Sequence, residues 1–141
     1  MGLFSFKPKA GTAEKNKVNS ELKHLDSVLK KLNTTDSIST YFTNFEDMLK
    51  TYGRLQKLEE SYNWHGLWKG GVTKSMQGIE DKRPSAERAF VDRAYERLQR
   101  DCLKVSTQKS KDKKREQFFA ELEHYKDYLR DETIEYINSL K

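Results

Sequence analysis

Cysteine is nearly absent: the 141 residues hold one, Cys102, so no disulfide can form within the chain. There are two prolines, Pro8 and Pro84, and no glycine follows Gly78, so nothing after Pro84 forces a helix to stop. No apolar run reaches the length of a membrane span, and the apolar opening Leu3-Phe4-Ser5-Phe6 is too short for a secretory leader. These absences predict a cytoplasmic chain in a reducing setting. Apolar residues make up 35% and charged residues 35%, which argues against a thick α/β core and suits thin helices with wide solvated faces.

Catalytic signatures are equally scarce. Gly66-Leu67-Trp68-Lys69-Gly70-Gly71-Val72-Thr73 has the glycines of a phosphate loop, but Val72 stands where the lysine belongs and no strand precedes it. The Met1-Gly2 start has Phe6 where an acylation site needs Ser or Thr. Glu21/His24 and Glu121/His124 share the spacing of di-metal bundle ligands, yet on helices both pairs fall well off the apolar seam and read as surface. Cys102 lies on an apolar helical arc, where a lone cysteine is a small core residue. No cofactor or metal is expected, and with no convergent nucleophile, base and oxyanion donors the chain is not expected to be an enzyme.

Helical periodicity, by contrast, is abundant. Val18, Leu22, Leu25, Leu29 and Leu32 repeat at alternating four- and three-residue steps, the seam of an amphipathic helix. The short polar link at residues 33–37 predicts an antiparallel return. A second helix follows to about Tyr62, with Ile38, Tyr41, Phe42, Phe45, Met48, Leu49, Tyr52 and Leu55 on its buried face and Gly53 inside it. Residues 63–84 then form an aromatic, glycine-rich elbow, in which one short helical turn fits between Val72 and Gln77. Pro84 and Ser85 open a third helix, with Glu87 in its first turn and an arc of Val91, Ala94, Tyr95, Leu98, Cys102 and Val105. The chain is expected to turn back within residues 106–115. A fourth helix then carries Phe118, Leu122, Tyr125, Leu129, Tyr136 and Leu140 to the end.

The expected fold is therefore an all-α bundle of about four long amphipathic helices, arranged as two antiparallel hairpins (12–62 and 85–141) joined by the elbow. Residues 1–11 form a flexible tail beside this single domain, with Leu3, Phe4 and Phe6 as a conceivable surface anchor.

Two surfaces are candidates for function. Trp64, Leu67 and Trp68 crowd the elbow, where they can plug the bundle, present a patch to a protein partner, or dip into a membrane surface beside Lys69 and Lys74. The plug is the simplest reading, and the partner patch is the functional one. Arg93, Arg97, Arg100 and Lys104 form a basic ridge at helical spacing, continued by Lys113, Lys114 and Arg115, which could follow nucleic-acid phosphates. Asp92, Glu96 and Asp101 can neutralise part of it, so a solvated face is the simpler reading there. Although net charge is +5, basic and acidic segments alternate along the chain, so a second copy is as suitable a counter-charge as a polyanion. The expected function is a non-enzymatic protein-interaction or adaptor role, with leftover apolar seam available for self-association. The alternative is a nucleic-acid-binding accessory protein, and a membrane is the least expected partner.

Overall fold

The periodic segments become helices in the computed structural model, which describes residues 6–141. The expectations placed on Gly2, Leu3 and Phe4 lie outside the described residues. Among those described there are five α-helices and no strand: α1 (Thr12–Thr34), α2 (Ile38–Ser61), α3 (Val72–Leu103), α4 (Gln108–His124) and α5 (Asp131–Ser139). A 3₁₀ turn (Lys126–Tyr128) links α4 to α5. The protein is an all-α helical bundle, and no helix of the described residues is long and apolar enough to cross a membrane.

Short polar signals start the first two helices. The Gly11 amide donates to Glu14 Oε1 at 2.9 Å, and the Ser37 side chain accepts from the Thr40 amide, each satisfying a donor that a helix end leaves open. Polar pairs then fix direction: Glu21 meets Arg54 and His24 meets Asp47 at 2.9 Å, so numbering rises along α1 as it falls along α2, and the two run antiparallel. Val18, Leu25, Val28 and Leu32 are the buried residues of α1. Leu22, expected in that seam, sits at its edge with 36% exposure, and Leu49 of α2 is 47% exposed.

Gly53 has only open space where a Cβ would stand, so no neighbouring helix requires it. Gly53→Ala should therefore raise unfolding free energy by about 0.5–1 kcal/mol, because alanine loses less backbone freedom on entering a helix. A denaturation midpoint that fell would show that the small residue is needed.

The third helix starts twelve residues earlier than Pro84. Val72 opens α3 and is 4% exposed, and Pro84 lies inside the helix, so the long elbow contracts to residues 62–71. Proline removes the hydrogen bond to the Glu80 carbonyl. Packing holds the helix on both sides of the lost bond, through Val72 before it and fully buried Phe90 after it. At 32 residues, α3 is about 48 Å long.

The chain turns back after Leu103, and Thr107 caps α4 by accepting from the Ser110 amide at 3.2 Å. Arg115 reaches Tyr95 and Cys102 lies by Lys111, which makes α4 antiparallel to α3. The expected fourth helix is broken at residues 125–130, and α5 reverses: Arg83 meets Tyr128, Glu87 meets Thr133 and Asp92 meets Tyr136, so α5 runs parallel to α3. The C-terminal part is a three-helix unit rather than a simple hairpin.

The two parts join through an aromatic core. Tyr41 stacks on Phe90 with centroids 3.9 Å apart, Phe42 stacks on Tyr125 at 4.3 Å, and Phe42 meets Phe90 edge-on. Not all of residues 1–11 is loose tail, because the Ala10 amide donates to the Asn63 carbonyl at 2.8 Å and the Asn63 amide to the Pro8 carbonyl at 2.9 Å. Ala10 is 2% exposed, so this strand-like tie pins the start of α1 to the elbow.

Candidate functional site

The elbow bends because its backbone visits the left-handed region at successive glycines, with φ of 71° at Gly70 and 83° at Gly71. Glu59, in the last turn of α2, accepts from the Gly71 amide at 2.8 Å and the Val72 amide at 3.2 Å, and so supplies the cap that α3 lacks locally. A Cβ on Gly70 would stand 2.2 Å from that carboxylate, so only glycine leaves the cap in place. Trp64 is buried, donates its indole N–H to the Leu58 carbonyl at 3.1 Å and packs edge-on against Trp68 at 5.0 Å. Trp68 is half-buried, whereas Leu67 is 38% exposed, its carbonyl accepting from Lys15 Nζ at 2.9 Å.

The basic ridge is drawn into the fold. Arg93 donates to the Thr35 and Leu32 carbonyls at 2.9 and 3.0 Å, covering the open C-terminal end of α1. Arg97 and Arg100 grip the two oxygens of Asp36 at 3.1 and 3.3 Å, and Lys104 lies 3.8 Å from Asp101. Arg115 faces Tyr95, Phe119 and the Leu140 carbonyl. Lys114 shares a cleft of about 310 Å³ with Asp36, Asp101 and Glu121, and Lys113 is exposed. The structure therefore brings Arg93, Arg97 and Arg100 together around the α1–α2 link and leaves Lys113 outside that cluster.

Because Arg93 makes two charge-assisted bonds to a helix end, Arg93→Gln should cost about 1.5–3 kcal/mol of stability. Urea unfolding would measure it, and an unchanged midpoint would show that water replaces the guanidinium.

Between α1, α2 and α3 runs an apolar groove of about 220 Å³, with Leu29, Met48, Leu49, Tyr52, Met76 and Ile79 in its walls and Asn33, Glu80 and Lys82 on its rim. Its α3 wall comes from the helical stretch before Pro84, which the sequence reading assigned to the elbow. The signal was the 4, 3 step of Val72, Met76 and Ile79, masked by Gly78 and Pro84.

Beside this groove lies a buried polar knot. Glu87, 1% exposed, accepts from Arg83 Nε at 2.8 Å, the Arg130 amide at 3.1 Å and Thr133 Oγ1 at 2.6 Å. Burial, then the Glu87 charge, pushes the Tyr41 phenol up to about 12 from its ordinary 10, although Arg83 and Arg93 oppose the rise. Above pH 10 the unfolded phenol ionises while the folded one keeps its proton. Stability from this group is thus complete below pH 10 and is lost as pH rises through about 12. Tyr41→Phe should remove roughly 2–3 kcal/mol of that alkaline loss, read as the difference between wild-type and variant unfolding at pH 9 and pH 12. Parallel pH profiles would contradict it.

Neither metal-like pair comes together. Glu21 and His24 bind α2 through Arg54 and Asp47, while Glu121 and His124 are exposed on α4. Among the described residues no group of three or more His, Cys, Asp or Glu is placed to hold a metal ion. No protein-family model matches the chain, and neither a curated protein nor a solved structure matches it.

Proposed function

We propose that this protein is a non-enzymatic interaction module that seats apolar side chains of a protein partner in the α1–α2–α3 groove. The observation carrying this reading is Leu49, 47% exposed on a wall shared with Met76 and Ile79. An apolar floor with a polar rim suits an anchor side chain, and flexible methionines adapt to its shape. Trp64, Leu67 and Trp68 take a secondary part, with Leu67 the most open of the three.

The nucleic-acid alternative has weaker support, since Arg93, Arg97 and Arg100 already have partners within the fold. Salt-dependent oligonucleotide binding lost in Arg97→Gln or in Lys113→Gln with Lys114→Gln would restore it.

The groove reading is tested in cells with a photo-crosslinking residue at position 49 and a control at exposed Gln99. The expected result is a discrete adduct with another protein at position 49 only, abolished by Ile79→Asp in a variant that retains its helical circular dichroism. Equal adducts at both positions would remove the groove from consideration, and an adduct with a second copy of the chain would replace the adaptor role with self-association.

A further inference from the structure

The end of the bundle built around the elbow concentrates positive charge that the linear sequence disperses. The Asn63 tie brings in residues 7–10, Lys15 reaches the Leu67 carbonyl, and Glu59 draws in the start of α3. Lys7, Lys9, Lys17, Lys57, Lys69 and Lys74 thereby gather at one end, all exposed and none in an ion pair among the described residues. Of the nearby carboxylates, Glu14 and Glu59 accept from backbone amides, Glu21 pairs with Arg54 and Glu60 is exposed, so the lysines outnumber the negative charges at this end. A cleft of about 430 Å³ between α1 and α2 opens on this end, its lining mostly apolar and including Lys17, Glu21, Arg54, Lys57, Leu58 and Tyr62.

Apolar groups accompany the lysines. Phe6 is 87% exposed and Leu67 38% exposed, each beside lysines in sequence or by contact. We propose that this end docks on an anionic lipid surface, its lysines against phosphate headgroups and Phe6 and Leu67 entering the headgroup boundary. Lysines ringing exposed apolar groups bind such a surface by charge and by partial apolar burial together. A nucleic acid would satisfy the charges but leave Phe6 and Leu67 wet, so a lipid surface is the better complement. Docking of this kind needs no membrane-crossing helix. It shares no lining residue with the groove described above, and only Leu67 with the secondary partner contact.

The two tryptophans, Trp64 and Trp68, both lie in the elbow, so their fluorescence reports this end alone. The test is titration of the full chain with vesicles of brominated phosphatidylcholine, with and without phosphatidylserine, at low and physiological salt. Quenching is expected only with the anionic vesicles, weaker at higher salt. Lys17→Glu, Lys57→Glu and Lys74→Glu together should lower partitioning roughly a hundredfold or more, and Leu67→Ser should lower it severalfold, with melting temperatures unchanged in both variants. Absence of partitioning at low salt overturns the proposal. Vesicle binding without quenching, or binding unaffected by Leu67→Ser and displaced by duplex oligonucleotide, also overturns it in favour of a nonspecific polyanion contact.

Discussion

Glu87→Ala is expected to lower unfolding free energy by about 3 kcal/mol or more, since it strands several buried groups at once. Arg83 loses its 2.8 Å partner, Thr133 its 2.6 Å acceptor, and the Arg130 amide at the head of α5 its 3.1 Å acceptor. Some of the Arg83 loss is recoverable, because that side chain is 21% exposed and also lies 3.4 Å from Glu80. Glu87→Leu combined with Thr133→Val should recover part of the deficit by removing both donor and acceptor. Urea unfolding gives the size, and hydrogen exchange gives the place: α5 should lose protection before α1. A cost below about 1 kcal/mol, or protection lost equally everywhere, would show that the carboxylate does not hold α5 in place.

Phe90→Ala is expected to cost about 3–5 kcal/mol, the range for emptying a large aromatic site in a close-packed core. Phe90 is fully buried, stacked on Tyr41 and edge-on to Phe42, so truncation opens a void where α2 meets α3. Leu103→Ala supplies the contrast, since Leu103 is 82% exposed and should change stability by no more than about 0.5 kcal/mol. Similar losses in the two variants would mean that the core lies elsewhere. A total stability of about 5–15 kcal/mol is usual for a domain, so Phe90→Ala takes a large share of it.

These two positions also mark what the sequence could and could not convey. The α1 and α2 seams were legible because their periodicity is local: Val18, Leu25, Leu32, Tyr41, Phe42 and Leu55 fall where helical spacing puts them. Phe90 directly precedes Val91 and joins Ala94 and Leu98 at helical spacing, one residue outside the expected arc. The break before α5 was not legible, since no glycine or proline marks it and its cap comes from Glu87, 43 residues upstream. The early start of α3 was hidden similarly, its cap being Glu59 on another helix and its interior containing Gly78 and Pro84. Glu87 itself matched a helix-dipole rule for a first turn, yet it occupies mid-helix and is buried. The basic ridge is legible as a spacing, but spacing alone could not show that Asp36 and the end of α1 lie opposite it.

Consecutive helices pack on one another through much of this fold, above all α1 on α2. The joints between distant parts of the chain include the Tyr41–Phe90 and Phe42–Tyr125 stacks, the Arg93 link to Thr35, across 58 residues, and the Tyr128 link to Glu46, across 82. Closing loops of that length costs chain entropy that a contact repays only after both sides have taken shape. Each half is therefore expected to acquire its helices before the joints between them form, which φ-values near zero at Arg93 and Tyr128 would bear out. Weakening either joint then shortens the lifetime of the native state and leaves the speed of folding nearly unchanged.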